Sequence, residues 1–462
     1  MRLFFIRGEG LRMRYIGLDL GTTYTKYAVL DLEGLTVAWS ASVVPPMPAD
    51  ISNGRYELDA WEYYGHVKEG LDAALDIAPD ALGIVVSAQM HGCVVVDENA
   101  SPLTGLISWQ DAAGLRPVEA VSYVDVLARK LERHEDDPEF VRPSRKLALG
   151  NLYARVEDGL RFPARAKFCT PGGYIALRLG GGNACHATMA ASTGCASMKG
   201  NRWFVPSLDA AGIGGLRFPE IVTGYRSIGT YRRNGREYAL YPDVGDHQNG
   251  VLGSLARAYD DLQVNIGTGG MIGRVVRGFS RVGGVETRPL MEDLFVHTVT
   301  GLPGGRHVRV VADFVMESAR MLGVEVNEDD FWRRAVVLSL EGDAPDVQPD
   351  FFLPSGGSIG GIGSETLRPE ALLRGMYRAI GGACAAAKER LDGGDNLIYT
   401  GGAVTRNAAM RAAIERACGL RGILPHGDGA AAGLMRLALY AQGVSLEMSR
   451  ERLLAASRQN GE

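Results

Sequence analysis

The chain has 462 residues, of which 46% are hydrophobic and 22% are charged, and its net charge is −5. This length and composition indicate two or three globular domains and exclude a collagen-like or low-complexity protein. The slightly acidic balance argues against nucleic acid or an anionic membrane as a partner. The six cysteines form no CxxC pair and no zinc-ligand spacing, which favours reduced thiols in a cytoplasmic protein.

The first fourteen residues, MRLFFIRGEGLRMR, contain an apolar run of only four residues before Arg7. This run is too short for the core of a signal peptide. No stretch of the chain approaches the roughly 18 apolar residues that a membrane-spanning helix needs. Met13 directly precedes the first predicted strand and could serve as an alternative start.

The predicted elements of the first half alternate between strands and helices. The pattern predicts a strand–turn–strand over residues 14–31, a further strand near 36–44, a helix over 57–78, and short strands at 84–87 and 93–96. Residues 115–220 are less regular, with helices near 115–135 and 171–179, and are interpreted as an insertion.

The second half restarts with a strand pair at Leu262. Helices are predicted near 312–323, 328–340 and 367–392, a strand at 396–400, and helices at 407–418 and 429–442. The organisation predicts a duplicated α/β domain, with copies at residues 13–255 and 256–455.

Each copy opens with nearly the same words, YIGLDLGTTYTK at residues 15–26 and LQVNIGTGGMIG at residues 262–273. Aligning the two stretches pairs Asp19 with Asn265, Gly21 with Gly267, Thr22 with Thr268 and Thr23 with Gly269. A tight Gly-Thr turn between two strands points backbone N–H groups at one spot and lets a phosphate approach closely. Two unrelated hairpins with common turn residues are the alternative, but the matched register favours a polyphosphate held by both turns.

The residues around the first turn suit the same ligand. The Asp19 carboxylate suits a hydrated Mg²⁺ beside the phosphates, and Lys26 could offset phosphate charge. The amide of Asn265 at the equivalent position avoids repulsion.

Six stretches in order, DLGTTYTK, SAQMHGCVVVD, SWQD, VGDHQNGVLGS, NIGTGGM and GGAVTRN, resemble the FGGY carbohydrate kinases of the actin, hexokinase and Hsp70 superfamily. The resemblance runs from about Tyr15 to about Ala441. VETRP at 285–289 and TMAASTG at 188–194 are most similar to sedoheptulokinase-like members. The resemblance implies two actin-like α/β domains with a cleft between them, sugar bound by the first and ATP by the second.

The resemblance also implies a role for each matching residue. Asp246 takes the position of the catalytic base, and a carboxylate there can orient a sugar hydroxyl and accept its proton. The sugar contacts implied are Gln89, Met90, His91, Trp109, Asp111 and His247. The MgATP contacts implied are Asp19, Gly21, Thr22, Thr23, Lys26, Gly267, Thr268, Gly269, Gly401, Gly402 and Asn407, with Asp19 and Asp246 as metal ligands. His247 could itself be a metal ligand, but no partner spacing supports that role.

Several positions depart from the family pattern. Ala113 stands where an arginine is common after the W-x-D pair, residues 357–366 replace a common GERTP stretch, Asp428 replaces a glutamate, and Pro171–Tyr174 replaces an acidic pair. The ATP side is thus more regular than the sugar side.

We therefore expect an ATP-dependent kinase that phosphorylates a primary hydroxyl of a ketose. Sedoheptulose is the leading substrate and xylulose or another pentulose the alternative. A non-catalytic nucleotide-binding sensor on the same fold is the hypothesis of another class. The sequence leaves a homodimer open.

Overall fold

The computed structural model describes residues 13–353, 355–425 and 427–459. Residues 1–12, on which the expectation about a signal peptide rests, lie outside the described part. The chain forms two compact units. Unit 1 comprises the described residues up to Gly253, the segment Arg288–Asp293 and the described residues from Asp428 onward. Unit 2 comprises the described residues of Ser254–Thr287 and Leu294–Gly427.

The α-helices lie on both sides of Ser254 in the sequence. Those before Ser254 are α1 (Ala60–Ile77), α2 (Tyr123–Lys130), α3 (Ala148–Glu157), α4 (Pro171–Arg178), α5 (Ala187–Ser192), α6 (Val205–Ala210) and α7 (Asp246–Gly253). Those after it are α8 (Gly305–Met321), α9 (Glu328–Ala335), α10 (Pro369–Arg390), α11 (Gly402–Thr405), α12 (Ala408–Cys418), α13 (Gly429–Ala441) and α14 (Leu446–Gln459). Short 3-10 helices lie at Ser52–Gly54, Ala113–Leu115 and Glu132–His134.

The strands fall into two main sheets and several small ribbons. Those before Ser254 are β1 (Arg14–Leu20), β2 (Thr25–Asp31), β3 (Thr36–Val43), β4 (Glu57–Leu58), β5 (Gly83–Ala88), β6 (Val94–Val96), β7 (Leu106–Ile107), β8 (Pro117–Val118), β9 (Val121–Ser122), β10 (Lys167–Cys169), β11 (Ala184–His186), β12 (Glu220–Val222), β13 (Gly229–Arg233) and β14 (Arg236–Gly245). Those after it are β15 (Asp261–Ile266), β16 (Gly270–Arg277), β17 (Glu286–Pro289), β18 (Leu294–Leu302), β19 (Asp346–Gln348), β20 (Ser358–Gly360), β21 (Asn396–Thr400) and β22 (Arg421–Ile423).

The main sheet of unit 1 has the order β13-β14-β5-β1-β2-β3. The strands β1, β2 and β3 form an antiparallel meander, whereas β5 and β14 run parallel to β1. The hairpin register sets Asp19 opposite Lys26 and Leu20 opposite Thr25. The parallel strands β1, β5 and β14 therefore end at one edge of the sheet.

The main sheet of unit 2 repeats this topology. Its order is β17-β18-β16-β15-β21-β22, with β15, β16 and β18 as the antiparallel meander and β21 and β22 parallel to β15. Ignoring the additional outer strand of each sheet, both units have the order 3-2-1-4-5. The predicted α/β class and its duplication are confirmed.

Helix α1 shows how the sequence builds the core of unit 1. The Asp59 side chain caps its first turn by accepting from the Glu62 N–H at 2.8 Å. Residues at helical spacing then face the sheet and are buried: Tyr63, Val67, Leu71, Ala74 and Leu75. They pack against Ile16, Leu18 and Val86 of the sheet.

The predicted insertion has a core of its own. Leu127 and Leu131 around α2, Leu149 and Leu152 of α3, and Phe168 of β10 are buried in a separate hydrophobic cluster. This region thus packs as a layer in addition to the main sheet of unit 1.

The C-terminal helices α13 and α14 belong to unit 1, which the sequence did not indicate. The first break between units falls after Gly253, two residues before the predicted boundary. Arg436 of α13 is buried and donates to the backbone oxygens of Leu252, at 2.7 Å, and Leu446, at 2.6 Å.

Among the described residues, no helix is both long enough and apolar enough to cross a membrane.

Candidate active site

In unit 1, three stretches of predicted site residues follow neighbouring parallel strands. The turn at Gly21–Thr23 follows β1, Gln89–His91 follows β5, and Asp246 follows β14. The pairs Leu20–Ala88 and Ala88–Gly245 put these strand ends side by side. Because ligands of open α/β sheets bind beyond the carboxyl ends of the strands, this edge is the candidate site of unit 1.

Asp246 is the first residue of α7 and is accessible to solvent. Its Oδ1 accepts from the His247 N–H at 2.8 Å, and His247 is itself half-buried. Although part of Asp246 is accessible to solvent, the protein atoms around its carboxylate displace water from it. This desolvation, followed by the charge of Asp19, raises the pKa of Asp246 to about 7, while Arg288 acts in the opposite direction. A carboxylate of this pKa is suited to accept a proton at neutral pH.

The charge of Asp19 acts on this carboxylate, and the Asp19 side chain is itself half-buried. Burial raises its pKa, and the Asp428 charge adds to that effect, whereas the Ser87 hydrogen bond and Lys26 lower it. Lys26 Nζ lies 3.0 Å from Asp428 Oδ2. Although partial burial acts to raise the pKa of Asp428, the contact with Lys26 and the first N–H groups of α13 outweigh it and lower that pKa. Lys26 is thus held beside the first turn by the residue that caps α13.

The turn after β5 is held by α5. His91 adopts a left-handed backbone with φ of 70°, donates its N–H to Ser192 Oγ at 3.2 Å, and has Nδ1 2.7 Å from the Ser192 carbonyl. On the same helix, Thr188 Oγ1 accepts from the Gly245 N–H at 3.1 Å. Helix α5 therefore fixes both the His91 turn and the backbone before Asp246, a role that sequence reasoning missed.

The other two residues of that turn face inward. Gln89 is buried, and its Oε1 accepts from Ser108 Oγ at 3.2 Å. Met90 is buried as well, and a Cβ on Gly245 would lie 2.9 Å from its sulfur. The Met90 side chain therefore packs under the start of α7, while the predicted sugar contact of Gln89 would need a route other than its Oε1.

Trp109 and Asp111, predicted together, are separated by their environments. Trp109 is 38% exposed and its ring is available to a ligand. Asp111 is 1% exposed, and its oxygens accept from the Tyr56 and Ala113 N–H groups and from both terminal nitrogens of Arg155. The expected contact of Asp111 with sugar hydroxyls is thus not what the geometry provides, because protein donors saturate the carboxylate.

Arg155 of α3 is the residue that sequence reasoning missed here. Its guanidinium is buried and lies 2.7 Å from both Glu57 Oε2 and Asp111 Oδ2. Ala113 follows in the turn where the family pattern has an arginine, and it is fully buried. Arg155 pairs with Asp111 from a different element, and no local spacing in the sequence links residues 44 positions apart.

Unit 2 carries the second Gly-Thr turn. The Gly267 and Thr268 carbonyls accept from the first N–H groups of α8, those of Gly305 and Arg306, at 2.8 and 3.1 Å. A Cβ on Gly304 would lie 2.6 Å from the Gly269 backbone, so the turn packs directly on the start of α8. A Cβ on Gly267 or Gly269 would meet nothing within 4 Å. Space therefore remains beside the turn for a ligand to approach the backbone.

A cavity of about 410 Å³ lies in unit 2 near the other predicted nucleotide residues. Its lining is mainly apolar or small: Gly305, Val308, Trp332, Val336, Gly402, Ala403, Arg406, Asn407 and Met410. Its volume lies in the range of small-molecule sites. The structure thus brings Gly402 and Asn407 to one cavity with the start of α8.

Gly401, which precedes the lining residue Gly402, and Asn407 fix the backbone beside this cavity. Gly401 has φ of 89°, and a Cβ there would lie 2.6 Å from Asn265 Oδ1. The Asn407 amide oxygen accepts from the Met410 N–H at 2.8 Å, and its nitrogen donates to Tyr377 at 3.1 Å. Asn407 is therefore a helix cap that fixes the start of α12.

The carboxylates Asp19 and Asp246 fit a hydrated divalent cation. Within the described ranges, no cluster of three or more His, Cys, Asp or Glu side chains could hold a metal ion. Mg²⁺, however, commonly keeps several waters and uses one or two carboxylates with substrate phosphates. Two neighbouring carboxylates with raised pKa values would gain from such a cation because it offsets their mutual repulsion.

Comparison with solved structures identifies the fold. The xylulose kinase from Rhodospirillum rubrum superposes with a TM-score of 0.80 at 17% sequence identity, covering 95% of this chain and 92% of that one. With the duplicated 3-2-1-4-5 sheets, this likeness defines the class as an α/β protein of two actin-like domains.

Sequence comparison finds a family match in the first half of the chain. Residues 14–240 match the FGGY family of carbohydrate kinases, N-terminal domain. A xylulose kinase of Staphylococcus xylosus is 27% identical over 268 residues, 55% of this chain and 54% of that protein. A gluconokinase of Bacillus subtilis is 24% identical over 275 residues, 56% of this chain and 52% of that protein. The chain thus matches about half the length of each of these curated relatives.

Proposed function

We propose that the chain is an ATP-dependent carbohydrate kinase, with the acceptor bound by unit 1 and the nucleotide by unit 2. The observation that carries the proposal is Asp246, a solvent-accessible carboxylate with a pKa of about 7 at the shared end of β14, β5 and β1. The FGGY match over residues 14–240 supports the same assignment.

In the proposed reaction, Asp246 accepts the proton of a sugar hydroxyl while the oxygen of that hydroxyl attacks the γ-phosphorus of ATP. The bond from that phosphorus to the bridging oxygen breaks, and ADP leaves. The proposed phosphate donors are backbone N–H groups of the turn at Gly21–Thr23 and those of Thr268 and Gly269, since the Gly267 N–H already donates to the Gly269 carbonyl. Mg²⁺, held by Asp19 and Asp246, would neutralise phosphate charge when bound. The cavity beside Gly402 would take the nucleoside.

The acceptor is proposed to be a ketose, with xylulose or another pentulose ahead of sedoheptulose. The relatives described above carry the names xylulose kinase and gluconokinase, and this favours the pentulose over the sedoheptulose initially expected. His91 and Trp109 are the proposed sugar contacts because both are accessible at least in part. The six free, buried cysteines fit the proposed cytoplasmic location.

The test is coupled ADP release from MgATP against xylulose, ribulose, sedoheptulose, gluconate and glycerol. The expected result is one strong ketose response that Asp246→Asn abolishes. Asp125→Asn is the matched control, because Asp125 is also an acidic residue in the first turn of an eight-residue helix. Silence across the panel, or a response that Asp246→Asn leaves intact, would contradict the proposal.

A further inference from the structure

One short segment from the second half of the chain packs in unit 1. Residues Arg288–Asp293 lie in sequence between two stretches of unit 2, yet they belong to the compact unit that holds Asp246. The segment begins with the last two residues of the VETRP stretch at 285–289. The proposed reaction, as described so far, gives these residues no role.

Contacts with α7 and α13 fix the backbone of this segment. The Pro289 carbonyl accepts from Gln248 Nε2 of α7 at 3.1 Å, and this hydrogen bond is buried. The two residues after Pro289 are buried as well. Glu292 Oε1 then accepts from the Tyr440 hydroxyl of α13 at 2.6 Å. The segment is therefore held at both ends by helices of unit 1.

This anchoring places Arg288 near the first turn of α7. The neighbouring Pro289 contacts Gln248, which lies two residues after Asp246 in that helix. Arg288 is half-buried, and its positive charge acts on the Asp246 carboxylate. We therefore expect the Arg288 guanidinium to lie close to a sugar hydroxyl that binds Asp246.

The chemistry of a guanidinium suits the acceptor side of unit 1. Ala113 is buried and stands where the family pattern has an arginine. Arg155 is a nearby alternative in the sequence, but its guanidinium is engaged by Glu57 and Asp111. A guanidinium carries five N–H donors in a planar fork, which can donate to neighbouring hydroxyl or carbonyl oxygens of a sugar. Arg288 can thus supply the donors that Ala113 does not.

We propose that Arg288 is an acceptor-binding residue, whose guanidinium donates to oxygens of the sugar while Asp246 holds the hydroxyl that reacts. The inference rests on the proposed function and adds to it a specificity contact from the second half of the chain. The γ-phosphate of ATP is the other group that a guanidinium could bind. The acceptor is favoured because the contacts that anchor the segment lie in the unit assigned to the acceptor.

Steady-state kinetics with the best acceptor among xylulose, ribulose, sedoheptulose, gluconate and glycerol separate these two partners. Arg288→Met should raise the KM for the acceptor at least about tenfold and change kcat by less than about threefold, since a binding contact is lost. The KM for MgATP should stay the same. Arg288→Lys keeps the charge but not the planar fork, so it should recover only part of the loss.

Arg281→Met is the matched control for these variants. Arg281 is an exposed arginine seven residues earlier in the chain, and it belongs to unit 2. Its replacement should leave both KM values at those of the wild type. Thermal melting verifies that each variant folds, and Arg288→Gln replaces Arg288→Met should that variant fail to fold.

Calorimetric titration with the same five sugars, without nucleotide, tests the contact independently of turnover. The wild type should bind its acceptor at least about tenfold more tightly than Arg288→Met does. Weaker binding by Arg288→Met, with no turnover by the wild type, would support Arg288 as a sugar contact and contradict the kinase. Equal binding by the two proteins, no binding of any of these sugars by the wild type, or a change confined to the KM for MgATP would overturn the proposal.

Discussion

Two aspartates of β14 and α7, three residues apart, have environments suited to different tasks. Asp243 is fully buried and accepts from Thr170 Oγ1 at 2.8 Å and from the Gly173 N–H at 3.0 Å. Desolvation raises its pKa to about 6 despite these donors. Asp246 is open to solvent and has a pKa of about 7. Asp243 thus fastens β14 to α4, whereas Asp246 is left available for a ligand.

The pH dependence of turnover should report Asp246. A general base acts in its deprotonated form, and the raised pKa means that this form is lost as pH falls through about 7. We expect kcat/KM with the best acceptor to be level above pH 8 and to fall about tenfold per unit below pH 7. A profile that stays level down to pH 5, measured with saturating MgATP, would contradict the assignment.

Arg155 should be a major contributor to stability. Arg155→Met leaves the carboxylates of Asp111 and Glu57 buried without their cation, and breaking such a pair costs about 3–5 kcal/mol. Urea denaturation measures the free energy of unfolding. Arg165→Met is the control, because its pair with Glu98 is exposed and worth at most about 1 kcal/mol. Equal losses in the two variants would show that the buried network has no special role.

Among the elements, α13 sets the position of α7 through contacts between small residues. A Cβ on Gly433 would overlap the carbonyl oxygen of Asn249, and a Cβ on Gly253 would overlap that of Gly429. Asn249 Nδ2 also donates to the Ala430 carbonyl at 3.1 Å. Since Asp246 begins α7, the placement of the candidate base depends on a helix nearly two hundred residues later in the chain.

Gly433→Ala tests this dependence. We expect the added methyl to push α13 off α7, costing about 1–3 kcal/mol of stability and lowering kcat. Gly429→Ala, in the same helix, meets nothing within 4 Å and should melt and turn over like the wild type. Unchanged melting of Gly433→Ala by calorimetry would show that the two helices are not closely coupled.

In unit 2, Gly401 should matter for nucleotide binding. In Gly401→Ala, the alanine has to keep the left-handed backbone of Gly401, and its methyl lies against Asn265 and Ile266. We therefore expect ATP binding, measured by calorimetry, to be weaker. Gly382→Ala within α10 has open space and should stabilise by about 0.5–1 kcal/mol without changing affinity. Equal affinities in both variants would argue against a nucleotide next to Gly401.

At the scale of the whole molecule, the duplication was predictable because the matching hairpins each lie within one short stretch of sequence. The repeated hairpin at Asp19 and Asn265 lies in the same place in two sheets of the same topology. The resemblance assigned Gln89–His91 and Asp246 to the site, and in the structure both follow parallel strands that end at one sheet edge.

What the sequence did not reveal depends on contacts distant along the chain. Asp111 was assigned to the ligand, but Arg155 from another helix saturates it. The return of α13 and α14 to unit 1 rests on bonds such as that from Arg436 to Leu252, which no local pattern announces. Burial and long-range pairing, not secondary structure, limited the prediction of the site.

The most direct test is the transfer of the γ-phosphate of ATP to xylulose at pH 8, followed by ³¹P NMR. The account predicts that the wild type forms a sugar phosphate. It also predicts that Asp246→Asn, at saturating MgATP, forms that product at least about 100-fold more slowly. Product formation at the wild-type rate by Asp246→Asn would contradict the central claim that this carboxylate is the base.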